Sequence, residues 1–271
     1  MTVQISECPL CGEHNLKYHS SWNQPGDHRT FVKCSRCSHI FAAKFDPEEL
    51  GRLYREDYYS SPDDPGIQNW IDQNRVFWQE TVQDIFRFRK TFASILDYGA
   101  GTGGFLEQFQ QAISGNVKIF AVESSGAAME NLRNRFPGAE VYPLLEDCPE
   151  RHFDCISVLQ CFEHLTNPAE ICRELHSRLN SGGIMIVTVP NRYSLRTVFK
   201  GKNDSFNPGN PTHLQFFTAS GMENMLKQSG FRQVYRLTNY PVHGNFLKKP
   251  VTFLFRKLGI SSELRFICIA D

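Results

Sequence analysis

A glycine-rich stretch at residues 95–105, Ile-Leu-Asp-Tyr-Gly-Ala-Gly-Thr-Gly-Gly-Phe, constrains the fold of this 271-residue chain more than any other feature. Branched apolar residues run into Asp97, and a cluster of glycines follows it (Gly99, Gly101, Gly103 and Gly104). Such glycines let the backbone turn tightly and bring its N–H groups close to a ligand. A helix beginning near Phe105 would aim unpaired N–H groups at the same point, which suits an anionic group. The stretch therefore predicts a turn that binds a nucleotide-like cofactor.

Strand and helix patterns alternate from residue 93 onward. Predicted strands cover 94–97, 118–122, 140–142, 154–159, 183–189, 233–237 and 264–269, and predicted helices cover 105–113, 127–136, 169–179 and 218–229. Such alternation with short connections is typical of a parallel, doubly wound sheet whose ligand lies at the carboxyl ends of the strands. We therefore expect an α/β main domain over residues 93–271.

The glycine turn alone also fits NAD. Gly99, Gly101 and Gly104 satisfy the GxGxxG pattern, and Glu123 lies far enough downstream to accept both ribose hydroxyls. Against NAD, Asp97 occupies a strand end where dinucleotide folds keep an apolar residue. The last predicted strands form a returning pair rather than a second mononucleotide-binding half, and we expect no separate substrate domain after them. These features favour another nucleotide-like cofactor.

A specific resemblance rests on four segments that occur in order. They are Leu-Asp-Tyr-Gly-Ala-Gly-Thr-Gly (96–103), Phe-Ala-Val-Glu (120–123), Phe-Asp-Cys-Ile-Ser-Val-Leu-Gln-Cys-Phe-Glu-His-Leu-Thr-Asn-Pro (153–168) and Gly-Gly-Ile-Met-Ile-Val-Thr-Val-Pro-Asn (182–191). Through them, residues 93–271 resemble class I S-adenosylmethionine-dependent methyltransferases, which have a Rossmann-like doubly wound sheet. The cysteine-rich N-terminus, the tyrosine-rich segment 54–59 and His-Leu-Gln-Phe-Phe-Thr at 213–218 resemble bacterial members with an N-terminal zinc module. Those members are often associated with modification of sugars, polysaccharides or secondary metabolites, and ribosomal RNA guanine methyltransferases are a more distant match.

The resemblance implies a set of residues that bind S-adenosylmethionine: Asp97, Tyr98, Gly99, Gly101, Gly103, Glu123, Asp147 and Gln160. The three alternate glycines would let the turn approach the methionyl part. Asp97 would orient the turn or meet the ammonium, and Glu123 would accept two charge-assisted hydrogen bonds from the ribose. Gln160 would lie beside the sulfonium and amino acid moiety, and Asp147 would lie at the adenine.

Methyl transfer from a sulfonium needs little acid catalysis, because the departing thioether is neutral. The protein must align the acceptor and remove its proton if it is a hydroxyl. Glu163 and His164 follow the fourth predicted strand of the main domain, so His164 is a candidate base and Glu163 an orienter or second acid. The alternative is that both cap the next helix. His213 is a further candidate base or substrate ligand, or else an anchor for its loop.

A metal-assisted version of the same site is also open. The region resembles ubiquinone-type O-methyltransferases and small-RNA 2′-O-methyltransferases, in which Glu-x-x-Glu-His ligates a divalent ion. The first position here is Gln160, a weaker neutral ligand, so that site is incomplete. Glu163, His164 and His213 can still form a two-histidine, one-carboxylate cluster.

Two Cys-x-x-Cys pairs, 22 residues apart, predict a zinc ribbon over residues 1–45. The four thiolates are Cys8, Cys11, Cys34 and Cys37, and two such turns facing each other close a tetrahedral site. A closed four-thiolate site leaves no open position, so this zinc would be structural and would supply much of the module's folding energy. A redox Cys-x-x-Cys predicts one pair beside a βαβ unit, not two. We expect the nearby histidines (His14, His19, His28 and His39) to be exposed to solvent.

A helical connector is predicted over residues 46–92, with helices at 46–55 and 69–89. Its tyrosines (Tyr54, Tyr58 and Tyr59) either line a substrate pocket or pack the helix on the main domain. A long polar stretch at 191–211 is predicted to be a lid over the acceptor pocket. Its cations (Arg192, Arg196, Lys200 and Lys202) either hold the phosphates of a nucleotide sugar or form a solvated face.

Composition and charge limit the kinds of partner that we expect this chain to bind. Lys+Arg and Asp+Glu both number 29, so no global basic field draws the chain to nucleic acid. There is no signal-peptide pattern and no apolar run that could span a bilayer, so we expect a soluble cytoplasmic protein. The leading hypothesis is O-methylation of a small-molecule or glycan-like hydroxyl. The alternatives are C-methylation of a deoxysugar nucleotide, RNA methylation, and cofactor binding without catalysis.

Overall fold

The computed structural model describes residues 2–24, 27–56, 65–194, 212–237 and 261–271. Its N-terminal part is a small antiparallel sheet of β1 (Val3–Gln4), β2 (Leu16–Gln24), β3 (Asp27–Cys34) and β4 (Ile40–Phe45), in the order β1-β4-β3-β2. Strands β2 and β3 pair along most of their length. The first cysteine pair precedes β2, and the second begins at the last residue of β3 and continues into the turn before β4.

Two helices connect this sheet to the rest of the chain: α1 (Pro47–Glu56) and α2 (Pro65–Phe88). Helix α1 begins after Asp46, as predicted, because an Asp46 side-chain oxygen accepts the N–H of Glu48 at 2.9 Å. Helix α2 starts four residues earlier than the predicted 69 and lies against the next helix of the chain. Its Trp78, Val82 and Ile85 are buried in the core of the main sheet.

A seven-stranded sheet forms the main body. Its elements are β5 (Ser94–Tyr98), α3 (Gly104–Ala112), β6 (Lys118–Val122), α4 (Gly126–Arg135), β7 (Glu140–Tyr142), β8 (Phe153–Leu159), α5 (Pro168–Ser177), β9 (Leu179–Pro190), β10 (Gln215–Phe216), α6 (Ala219–Gln228), β11 (Gln233–Arg236) and β12 (Glu263–Ile269). Strand β10 belongs to the N-terminal sheet, and the others are ordered β11-β12-β9-β8-β5-β6-β7. The strands from β9 to β7 are parallel, whereas β12 and β11 return antiparallel.

This architecture confirms the predicted α/β fold class and the returning strand pair. The central strands read as continuous apolar runs because helices cover both faces of a parallel sheet, and every residue of β5 except its last is buried. The prediction that β9 begins at 183 was wrong by four residues. Its first residue, Leu179, pairs with Phe153 before a register shift, so the glycines at 182 and 183 lie inside the strand.

The N-terminal sheet and the main body share a core. Strand β10 pairs antiparallel with β4, with Gln215 opposite Phe41 and Phe216 opposite Ile40. Phe31 contacts Phe216 edge to face at a centroid separation of 5.5 Å. Strand β10, which lies in the chain among the main-body elements, therefore extends the sheet of the ribbon. The apolar surface of the ribbon is buried against the main body. Within the described ranges, no helix is long and apolar enough to cross a bilayer.

Candidate active site and metal centre

A cavity of about 760 Å³ opens at the carboxyl ends of β5, β6 and β8, where parallel α/β sheets bind ligands. Seven of the predicted residues line it: Asp97, Tyr98, Gly99, Gly101, Glu123, Gln160 and His164. Four further residues that line the cavity were not predicted from the sequence (Trp78, Leu144, Leu145 and Cys161). Leu144 and Leu145 lie in a connection without strong periodicity, and Trp78 lies on α2, outside the glycine-turn motif. The structure thus brings most of the predicted cofactor residues to one cavity.

The glycines of the turn face two different environments, the cavity and the packed core. Gly99 has φ of 77°, and a Cβ there would lie 2.7 Å from Cys161 Sγ, so only glycine fits. Gly103 also has a positive φ, but it lies outside the cavity lining. A Cβ on Gly103 would lie 2.7 Å from the ring of Phe136. Gly103 therefore lets the start of α3 pack against the end of α4, and its approach to the cofactor stays a prediction.

Glu123 holds the glycine turn in place. Its Oε2 accepts the N–H of Gly101 at 2.8 Å, and its Oε1 accepts the N–H of Ser125 at 2.8 Å. Burial raises the pKa of this carboxyl, and the backbone donors oppose that shift. Each carboxylate oxygen has a second lone pair, so the turn contact and a ribose contact are compatible.

Asp97 lies at the bottom of the cavity and is 2% exposed. Its Oδ1 accepts the hydroxyl of Ser157 at 2.7 Å. Burial raises its pKa from 3.8 to about 7, the Ser157 hydroxyl opposes the shift, and the nearby Glu123 adds to it. A cationic group in the cavity would therefore find a carboxyl that ionises readily in its presence.

Gln160 has a left-handed backbone, with φ of 53°. Its N–H donates to the carbonyl of Thr188 at 2.9 Å, and its Nε2 donates to Thr188 Oγ1 at 3.3 Å. Strained non-glycine residues of this kind cluster at functional sites. Here the left-handed conformation of Gln160 turns the chain sharply at the end of β8, into the segment that carries Glu163 and His164.

Asp147 is the predicted cofactor residue that the structure places elsewhere. It ends a short 3₁₀ turn, Leu145–Asp147, and its side chain is exposed outside the cavity lining. Leu145 points inward from this turn and is buried, so the carboxylate points outward. The cavity wall at this position is therefore apolar rather than acidic.

Glu163, His164 and His213 meet at the end of the cavity. They belong to the 3₁₀ turn Phe162–His164 and to the segment before β10. One ligand atom from each lies within 4.8 Å of the others, and the two imidazole centroids are 4.9 Å apart. His164 lines the cavity, whereas Glu163 and His213 are buried behind it. The alternative that this pair caps α5 is wrong, because Asn167 precedes that helix and the Glu163 side chain is 1% exposed.

Burial decides the protonation of this cluster. It lowers the pKa of His164 to about 4 and that of His213 well below 6.5, and it raises the pKa of Glu163 to about 8. Backbone carbonyls at Thr212 and Gln160 raise the His164 pKa back toward its ordinary value. At neutral pH both imidazoles are therefore uncharged, and the carboxyl holds its proton. Neutral imidazole is the form that accepts a proton or binds a metal.

The four predicted zinc ligands form a second cluster. Cys8 and Cys37 have their sulfurs 3.6 Å apart, as do Cys11 and Cys34, and the sulfurs of Cys11 and Cys37 are 3.5 Å apart. A tetrahedral zinc with Zn–S bonds of about 2.3 Å would separate its sulfurs by about 3.8 Å. The donor set and spacing therefore fit zinc, which would be closed to substrate.

Both cysteine turns share one backbone design. The residue after each pair, Gly12 or Ser38, has a positive φ and donates its N–H to the carbonyl of the first cysteine, at 2.8 Å and 3.0 Å. Of the nearby histidines, three are exposed as predicted (His14, His19 and His28). The prediction was wrong for His39, which is 1% exposed and contacts Gln215 Oε1 through Nε2 at 2.8 Å. Its burial follows from the strand pairing of β4 with β10.

Two predicted regions fall partly outside the described residues. Tyr58, Tyr59 and residues 195–211 lie outside them, as does the Tyr54 side chain, so the pocket tyrosines and the lid stay predictions. Arg192, near the start of the predicted lid, lies within the described residues. Its Nη2 lies 3.2 Å from His19 Nε2, so this cation faces the ribbon.

The fold and the cavity together define a class I methyltransferase architecture. Residues 70–235 match the family described as a methyltransferase domain, and the chain belongs to that family. The predicted resemblance to S-adenosylmethionine-dependent methyltransferases is thereby confirmed. The match begins on α2, so most of the predicted connector helix falls within the family domain.

Proteins that resemble this chain are named for S-adenosylmethionine or bind its product SAH. A probable S-adenosylmethionine-dependent methyltransferase of Mycobacterium tuberculosis is 27% identical over 175 residues, covering 63% of this chain and 59% of the relative. The chain thus spans about three fifths of the length of the curated relatives it matches. A SAM-dependent methyltransferase from Thermotoga maritima superposes with a TM-score of 0.55 at 19% identity, over 76% of this chain and 95% of that one. A plantazolicin methyltransferase in complex with SAH has a TM-score of 0.55 at 18% identity, over 83% and 98% of the two chains. These structural likenesses show the fold.

Proposed function

We propose that this protein transfers a methyl group from S-adenosylmethionine to a hydroxyl of a small-molecule or glycan-like acceptor. One observation carries the proposal: His164 lines the same cavity as the glycine turn, Asp97 and Glu123. A cofactor in that cavity would present its methyl group to the end where His164 lies. S-adenosylmethionine supplies the electrophilic methyl group, and the protein orients the acceptor and receives its proton.

The cofactor residues have distinct parts in this proposal. Asp97 meets the ammonium of the methionyl moiety, and Glu123 accepts hydrogen bonds from the ribose while it holds Gly101. Tyr98 and Gln160 form the wall beside the sulfonium. The apolar surface of Leu144 and Leu145 covers the adenine ring of the cofactor, for which Asp147 was the residue predicted from the sequence.

His164 is proposed as the general base. Because its pKa is lowered to about 4, the ring is uncharged at neutral pH. The carbonyls of Thr212 and Gln160 both favour the protonated ring, so a proton taken from the acceptor is held transiently. Glu163 and His213 pack behind the ring and fix its position.

Isothermal titration with S-adenosylmethionine and a transfer assay with labelled cofactor on a panel of sugars, nucleotide sugars and phenols test this function. Absence of cofactor binding at submillimolar concentration would contradict the class. With an acceptor in hand, His164→Gln should lower kcat by about 10²- to 10⁴-fold and leave the cofactor Kd within about threefold. His14→Ala, at an exposed histidine of the ribbon, is the matched control and should change neither value.

A metal-assisted transfer is a second candidate, and Glu163 Oε2 is the observation that favours it. This atom is buried and has no hydrogen-bond partner among the residues that the structure describes, and it lies in a cluster of one carboxyl and two uncharged imidazoles. A divalent ion held by Glu163, His164 and His213 would polarise the acceptor oxygen. The donor set fits such an ion, although Gln160 replaces the acid that a four-ligand site would have.

Metal analysis separates the two versions. A metal site here predicts a second ion per chain besides the ribbon zinc, and Mn²⁺ addition should release about one proton from Glu163 near pH 7. Glu163→Gln should abolish both signals while the ribbon zinc stays. A single ion per chain and no proton release would eliminate the metal-assisted version.

A further inference from the structure

The segment from Thr212 to Phe217 lies between the zinc ribbon and the turn that carries His164. On the side of the turn, Leu214 N–H donates to the carbonyl of Glu163 at 2.7 Å, and the Thr212 carbonyl contacts His164 Nδ1 at 2.9 Å. Two main-chain positions of the segment, Thr212 and Leu214, thus contact the turn directly. A displacement of this segment would displace the imidazole with it.

The same segment is fixed to the ribbon from the other side. Beyond the β10–β4 pairing, the N–H of Ala42 donates to the carbonyl of Leu214 at 2.8 Å. Arg29 Nη1 donates to the carbonyl of His213 at 3.0 Å, and this arginine is 3% exposed. The position of the segment is therefore set by β3 and β4 of the ribbon.

Gln215 joins both sides through one side chain. Its Oε1 lies 2.8 Å from His39 Nε2, and its Nε2 donates to the carbonyl of Leu165 at 2.8 Å and, more weakly, to that of Thr166 at 3.4 Å. The amide is 2% exposed, so water does not replace these bonds. Because its Nε2 faces two carbonyls, Oε1 must face the histidine, which fixes His39 as the Nε2–H tautomer.

His39 connects Gln215 to the cysteine turn that contains Cys37. It follows Cys37 by two residues, and its ring stacks on Phe41 with centroids 5.9 Å apart and lies 5.3 Å from Phe217. This packing leaves the ring little freedom to turn away from Gln215. Two side chains thus span the distance from the zinc-binding turn to the residue after His164.

We propose that Gln215 is a positioning residue for methyl transfer, through which the ribbon sets the placement of His164. The proposal rests on the proposed function, since it matters for catalysis only if His164 acts on the acceptor. Removing the amide would leave His39 Nε2 and the Leu165 carbonyl unpaired in a dry site, and the turn would shift to find new partners. A shift of about 1 Å at a reacting group costs about 10²-fold in rate. The ribbon is then part of the active-site scaffold as well as a metal-stabilised fold.

Gln215→Leu tests the link, because leucine has a similar volume and no hydrogen-bonding group. We expect kcat to fall about 10- to 100-fold, with KM and the cofactor Kd within about twofold and with the zinc content unchanged. In spectra of protein with labelled histidine, the His164 resonance should move, because the ring would leave its contact with the Thr212 carbonyl. His39→Phe removes the same link from the ribbon side while it keeps the stacking, and it serves if Gln215→Leu does not fold.

Phe31→Leu is the matched control, since Phe31 packs on Phe216 in the same interface without touching the link. It should lower thermal stability and leave kcat and the His164 resonance unchanged. If both link variants leave that resonance in place, the positioning role is wrong, whatever their activity. If the resonance moves but neither the link variants nor His164→Gln lower kcat, the proposed function has failed and the positioning geometry stands.

Discussion

Asp97 offers the sharpest test of the cofactor site, because its carboxyl is buried at the bottom of the cavity before any cation arrives. The difference between its ordinary pKa of 3.8 and about 7 corresponds to about 4 kcal/mol for ionising it in the folded protein. Because the folded-state pKa is raised, the folded protein is more stable while the Asp97 carboxyl is neutral. That contribution to stability is fully present below pH 3.8 and is lost as the pH rises through about 7. The cofactor-free protein should therefore lose stability between about pH 4 and 7.

Asp97→Asn removes the charge and keeps an acceptor for the Ser157 hydroxyl. We expect the free energy of unfolding of the cofactor-free variant to exceed that of the wild type by less than about 2 kcal/mol at pH 5 and by at most about 4 kcal/mol at pH 8. Binding should change in the opposite direction. Loss of a charge-assisted bond to the ammonium costs about 1.5–3 kcal/mol, so the cofactor Kd should rise about 10- to 100-fold.

Urea unfolding at pH 5, 6, 7 and 8 measures the first effect. Calorimetric titration at pH 6, in buffers of different ionisation enthalpy, measures the Kd together with the protons released on binding. Wild-type protein should release more protons than Asp97→Asn, since the cofactor draws the carboxyl into its ionised form. Ser157→Ala is the companion variant: it keeps the carboxyl, removes the donor that lowers its pKa, and should move the loss of stability to higher pH. An Asn variant that is equally destabilised at pH 5 and pH 8 would refute the reasoning.

Three further predictions follow from packing, ion pairing and the ribbon. Arg265→Ala should lower the free energy of unfolding by about 1.5–3 kcal/mol, because the buried Asp84 would lose one of its two arginine partners and keep only the more exposed Arg87; Lys227→Ala, in an exposed pair, should cost less than about 1 kcal/mol by the same denaturant titration. Gly104→Ala should cost about 1–3 kcal/mol and red-shift the tryptophan fluorescence less than unfolding does, because its Cβ would lie 2.2 Å from the Trp78 indole. Freshly purified protein should contain one tightly held zinc, and a strong chelator should lower its thermal midpoint; zinc-free protein with an unchanged midpoint would contradict the ribbon.

The parts of the site that lie close together in the chain could be predicted before the structure. Asp97, Gly99 and Gly101 follow a strand within a few residues, so their placement at its carboxyl end follows from local turn geometry. Glu123 and Gln160 directly follow β6 and β8, the two strands that flank β5, and a parallel sheet brings the carboxyl ends of such strands to one edge.

The positions of Asp147 and Gly103 outside the cavity lining share a physical cause. The outward direction of Asp147 depends on which side of a short turn buries Leu145, and the role of Gly103 depends on the approach of Phe136. Neither is encoded in spacing along the chain, because each depends on how one helix or turn packs on another. Trp78 was missed as a cavity residue for the same reason.

By itself, the sequence determined the class of the protein: the glycine turn and strand alternation predicted the sheet and its cofactor, and the cysteine spacing predicted the ribbon. Tertiary structure alone decided how the two parts cooperate. His39 and Gln215 are 176 positions apart, and they meet only because β10 pairs with β4. Hydrogen bonds across such a distance depend on the packing of the whole chain, since local pattern specifies which face of a strand is buried but not which strand covers it. The neighbours of His164, and with them the properties of its imidazole, were set at that level.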